Sequence, residues 1–115
     1  IKRDYKGAIA DFNKTIELSP IDLEEEIINY SNKINLVSPA YVGRGMTKYN
    51  LRDINGAIVD FTKAIELNPG ESDAYKNRGF AKYSLGDIRG ACKDIRNSVL
   101  YGTPDVQNFI GQLCN

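Results

Sequence analysis

The sequence predicts an all-α fold, a solenoid of stacked helical hairpins, on three observations. Nearly the same fourteen residues occur twice, GAIADFNKTIELSP at 7–20 and GAIVDFTKAIELNP at 56–69. A further row follows at a shift of 34, in which Tyr41, Arg44, Gly45, Lys48, Tyr49, Asp53, Ala57 and Asp60 recur as Tyr75, Arg78, Gly79, Lys82, Tyr83, Asp87, Ala91 and Asp94. All four prolines fall at the junctions that this period marks. Such a period means a unit of two helices that hides its apolar face only by stacking on its neighbours.

The elements follow in order. Residues 1–20 align with 50–69, so they hold a turn and a second helix whose first helix lies upstream or does not exist. Pro20 to Pro69 then spans 49 residues, fifteen more than the period, and the excess lies before Ser38. There Asp22-Leu23-Glu24-Glu25 reads as a capping box, and Leu23, Ile27, Tyr30, Ile34 and Val37 recur at helical spacing. They predict an inserted amphipathic helix over about 22–36, which covers its neighbour, replaces the missing first helix or mates with another chain.

Ser38-Pro39 supplies an N-cap and a first-turn proline for the next helix, which ends at the Arg52-Asp53 turn. Ile54, Ala57, Ile58, Phe61, Ala64 and Ile65 then mark one apolar face of its partner. The next hairpin repeats the plan over 70–103. Thr103-Pro104 opens a last helix with Val106, Phe109, Ile110 and Leu113 on one face, as an array needs to close its end. The single domain thus reads as a partial repeat (1–20), an inserted helix (21–37), repeats at 38–69 and 70–103, and a capping helix (104–115), about seven helices in all.

Composition narrows the chemistry. Lys+Arg and Asp+Glu both number 15, so no net positive field draws the chain to nucleic acid. No apolar run approaches the roughly 20 residues needed to span a bilayer. The absence of His rules out Ser-His-Asp or Cys-His catalysis and a His-ligated metal, and two Cys cannot make a four-thiolate zinc site. Gly43-Arg44-Gly45 lacks the third Gly and the preceding strand of a phosphate loop. The chain is therefore read as no enzyme, with no cofactor and no metal. Asp11, Asp60 and Asp94 recur with the repeat and are expected to be solvated or Arg-paired. The sequons at Asn13 and Asn29 fall inside predicted helices and carry no functional reading. Cys92 and Cys114 lie at the same level of two antiparallel helices, so a disulfide is sterically plausible, although free thiols are the preferred reading.

The chain resembles the tetratricopeptide repeat (TPR) family, through Tyr41, Gly45, Ala57, Phe61, Ala64 and Pro69 and again through Tyr75, Gly79 and Ala91. Ile95 and Thr103 replace the second unit's aromatic and Pro. Arg44 and Arg78, and Lys48 and Lys82, depart from the usual Leu and Tyr and are read as packed by their stems. The resemblance implies a right-handed superhelix whose first helices line a concave ligand face. It places Val42, Met46 and Tyr49 there from one unit, and Lys76, Asn77, Phe80 and Tyr83 from the next, with Tyr49 and Tyr83 equally able simply to pack between helices. Of the positions that clamp the carboxylate of chaperone C-termini in one sub-family, only Asn77 matches; Val42 and Met46 stand where that clamp has Lys and Asn. The expected function is a protein-interaction scaffold that binds a peptide segment of a partner. The alternatives are self-association through the incomplete first repeat or inserted helix, and service as the accessory domain of a larger enzyme. A protein partner and a possible homo-oligomer are expected, with no nucleic acid and no membrane.

Overall fold

Links of three or four residues turn the chain back on itself between successive helices from α2 to α5, so each helix packs on the next. The computed structural model describes residues 5–18 and 27–114 and contains, among them, six α-helices. These are α1 (Tyr5–Leu18), α2 (Ile27–Asn50), α3 (Ile54–Leu67), α4 (Ser72–Ser84), α5 (Ile88–Tyr101) and α6 (Gln107–Leu113). A 3-10 turn, Pro104–Val106, precedes α6. Besides these sequential neighbours, α2 meets α4, which sets the two first helices of the hairpins side by side.

The hairpins close on small residues. Ala57, Ala64, Ala74, Ala81 and Ala91 are fully buried. A Cβ on Gly45 would stand 2.6 Å from Cε1 of Phe61, so glycine is what lets α2 and α3 approach. In the next hairpin Gly79 faces Ile95, whose shorter side chain leaves 3.0 Å at the same place. Phe12 is the counterpart of Phe61 in α1, but its ring lies against Gly43 of α2. Helix α1 thus packs its aromatic on the helix that follows it.

Two sequence expectations change. The inserted helix and the first helix of the next unit are one continuous α2, so the helix count is six among the described residues. Ser38 is accordingly not an N-cap. It is buried inside α2, where its hydroxyl lies 3.1 Å from the Ala64 carbonyl and 3.2 Å from a Glu71 carboxylate oxygen, one proton shared between two acceptors. Pro39 has no N–H to return to the preceding turn, a loss of roughly 3 kcal/mol in a helix interior. Pro39 and Asn35, one turn back, lie on the exposed face, while Val37, Ala40 and Val42 are buried and offset that loss. The capping box at Asp22–Glu25 and Leu23 lie outside the described residues, as do the side chains of Ile27 and Tyr30. Of the predicted stripe, Ile34 is half-buried and Val37 is buried.

The turns repeat with the period. Asp53 accepts from Gly56 N at 3.0 Å and Asp87 from Gly90 N at 2.9 Å, each capping a second helix. The residue before each cap is left-handed: Gly86 at φ 84° and Arg52 at φ 71°. Glycine takes this conformation without steric cost, whereas a side chain meets its own carbonyl.

At the C-terminal end Cys92 and Cys114 form a disulfide, with Cα atoms 5.3 Å apart, so the expectation of free thiols does not hold. The reason is local. No residue of α6 itself is buried, and the helix is held by the bridge to α5, by buried Val106 just before it and by the edge-on contact of Phe109 with Phe80. Thr103 caps nothing with its side chain, although Pro104 does open the 3-10 turn as anticipated.

Replacing Arg52 with Gly removes the left-handed penalty and should raise stability by up to about 1 kcal/mol, read as a later urea midpoint at unchanged slope. Reduction of the disulfide, or Cys114→Ser, should cost about 3 kcal/mol through the 22-residue loop it closes. Amide exchange should then quicken first in 107–113, before the rest of the chain.

Candidate functional site

The repeated polar residues build the interior before they build a surface. Asp60 of α3 and Asp94 of α5 are buried, and each carboxylate is clamped from the first helix of its own hairpin. Arg44 donates Nε and Nη2 to Asp60 at 2.8 and 2.7 Å, and Lys48 Nζ adds a contact at 3.2 Å. Arg78 and Lys82 do the same to Asp94 at 2.8, 2.8 and 3.1 Å. Spacing explains the pairing: Arg and Lys four residues apart share one helix face, and Asp follows Arg by 16 in both units.

The third nitrogen of each guanidinium reaches back one unit. Arg44 Nη1 donates to Asn13 Oδ1 of α1 at 2.7 Å, and Arg78 Nη1 to Thr62 Oγ1 of α3 at 3.2 Å. Asn13 and Thr62 are equivalent positions, so one side chain ties its own hairpin and the preceding helix. The guanidinium also lies over its unit's tyrosine, 5.3 Å from the Tyr41 centroid and 5.8 Å from that of Tyr75. Its hydrogen bonds to Asp60 push the Arg44 pKa still higher, against the opposing effect of burial. The arginines and lysines are thus paired by their heads as well as packed by their stems. Asp60 and Asp94 are Arg-paired as expected, while Asp11, their counterpart, is exposed.

With these cations turned towards the second helices, apolar and neutral side chains line the space between α2 and α4. A depression of about 290 Å³ lies between the two helices, walled by Met46, Tyr49 and Asn50 on α2 and by Asn77, Phe80, Tyr83 and Ser84 on α4, with Phe61 at its base. Met46, Tyr49, Asn77, Phe80 and Tyr83 of the sequence-read groove come together here. Met46 is 46% and Tyr83 53% exposed, large apolar surfaces left in water. The Tyr49 hydroxyl lies 2.7 Å from Ser84 Oγ, a bond across the two first helices that fixes the wall. Tyr49 therefore both packs and lines.

Two residues of that groove reading lie elsewhere. Val42 is buried in the core with Ala57 and Phe61, because its position on α2 faces α3. Lys76 does not line the depression; its ammonium lies 3.8 Å from Asp73, one turn back on α4. Asn50 and Ser84 were missed, although their spacing of 34, next to Tyr49 and Tyr83, carried the signal. Also missed were Phe109, Gln112 and Leu113 of α6, which wall a second depression against Phe80 and Tyr83. Among the described residues no cluster of His, Cys, Asp and Glu could hold a metal ion, and no helix is long and apolar enough to cross a membrane.

Asp94→Ala should cost roughly 3–5 kcal/mol in denaturant unfolding, because it strands two cations against each other. Arg78→Met should cost less, since Lys82 still pairs with the carboxylate.

Comparison with known proteins agrees with this geometry. Residues 38–71 match the tetratricopeptide repeat. No curated protein matches the chain. Among solved structures, the chain superimposes on the first TPR domain of Spaghetti (RPAP3), solved bound to the HSP90 peptide SRMEEVD, with a TM-score of 0.64 and 20% identity over 96% of this chain and 90% of that one. It superimposes likewise on the TPR domain of Arabidopsis OM64, with a TM-score of 0.65 and 20% identity over 94% and 98%. Residues 38–71 are thus similar to a tetratricopeptide repeat, and the described chain shares the helical-solenoid fold of solved TPR domains.

Proposed function

We propose that this chain is a protein-interaction scaffold whose concave face, formed by residues 39–50 of α2 and by α4, binds a peptide segment of a partner protein. The observation that carries this is the depression in which Met46, Phe80 and Tyr83 present apolar surface to water beside the amides of Asn50 and Asn77. Such surface gains free energy on leaving water, about 25 cal/mol per Å², while the amides can satisfy a bound backbone. The peptide in the Spaghetti structure occupies a protein of the same fold, which supports a peptide as the ligand class. In this reading residues 1–20, 38–69 and 70–103 act as successive units of one array, and the two complete units by themselves give affinity in the micromolar range, which further repeats upstream would raise.

The test uses the whole chain. Affinity capture and mass spectrometry identify the partner, and titration calorimetry then compares variants of confirmed fold. Phe80→Ala should weaken binding tenfold or more and Asn77→Ala several-fold. If both leave binding intact while charge reversal at Glu24, Glu25 and Glu26 abolishes it, the groove is not the interface and the acidic segment is.

A further inference from the structure

The depression between α2 and α4 is not isolated. Met46 and Asn50 also wall a depression against Tyr5, Ala8 and Phe12 of α1. Phe80 and Tyr83 also wall the one against Phe109 and Leu113 of α6. Shared walls join the three into one path across α1, α2, α4 and α6. Among the described residues no charged side chain lines any of them.

The reason is the clamp behind the face. Arg44 and Lys48 are committed to Asp60, Arg78 and Lys82 to Asp94, and Lys76 lies beside Asp73. An acidic side chain seated on Met46, Phe80 or Tyr83 would lose its hydration and meet no available cation there, and a basic one would meet no carboxylate. The polar groups that do line the path are the amides of Asn50, Asn77 and Gln112 and hydroxyls such as that of Ser84, which donate and accept without charge.

Resting on the groove reading above, we infer that the occupant is a segment without charged side chains, anchored by apolar residues and laid across all three depressions from α1 to α6. Charge matching selects it: a neutral, apolar-walled path takes a neutral, apolar segment. At roughly 10 Å between neighbouring helices the path runs about 30 Å, which an extended chain covers with about nine residues.

Two pools of ten-residue peptides test this by fluorescence polarisation with the intact chain. One contains only apolar residues with Ser, Thr, Asn and Gln and has blocked ends; the other alternates apolar residues with Asp or Glu and ends on a free carboxylate. The uncharged pool should bind with less than about a twofold change in Kd between 50 and 300 mM salt, since screening acts on charge alone. Phe80→Ala and Phe109→Ala, each with unchanged circular dichroism, should each weaken it tenfold or more. Stronger, salt-sensitive binding of the acidic pool, abolished by Phe80→Ala, overturns this inference and leaves the groove reading standing. Loss with Phe80→Ala but not with Phe109→Ala overturns the path to α6. Binding by neither pool, or binding indifferent to Phe80→Ala, overturns the groove reading and the inference together.

Discussion

A buried carboxylate held by an arginine and a lysine is the constraint on which the rest of this fold depends. Burying a lone aspartate deep in a hairpin would be prohibitive, and a buried ion pair is by itself weak evidence of stability. Its value here is geometric. The planar guanidinium satisfies Asp60 or Asp94 with two nitrogens and spends the third on the helix of the preceding unit. One residue therefore fixes both the pairing within a hairpin and the stacking between hairpins, and lysine in its place could not form the same fork.

The clamp also shapes the opposite side of the same helices. Because the Arg and Lys four residues apart on α2 and α4 turn to the second helices, the depression between α2 and α4 is lined by apolar, amide and hydroxyl groups. The chemistry of the groove is thus a by-product of the chemistry of the core. The bond between Tyr49 and Ser84 then holds the two walls together across the inter-repeat step.

The first and the last described helices attach to their neighbours differently. At the C-terminal end a short helix with no buried residue of its own is strapped to α5 by a disulfide and an aromatic edge contact. At the other end α1 turns Phe12 onto Gly43, an added glycine next to the repeat's own arginine and Gly45. Asp11 is left exposed there, while its two counterparts are buried.

The sequence by itself determined the period, the hairpin plan and most of the groove. Gly45, Ala57 and Phe61 are legible because close helix packing admits so few side chains at those places. Tyr49, Phe80 and Tyr83 are legible because one helix face repeats every 34 residues. Tertiary structure alone decided the rest. Ser38-Pro39 reads locally as a helix start, yet buried neighbours on both sides carry α2 through it. Val42 reads as a groove residue until its contact with α3 places it in the core. Arg44 and Arg78 show in sequence only as departures from a pattern; that their heads seek Asp60 and Asp94 depends on two helices meeting, and no local propensity records which face of a helix another will cover.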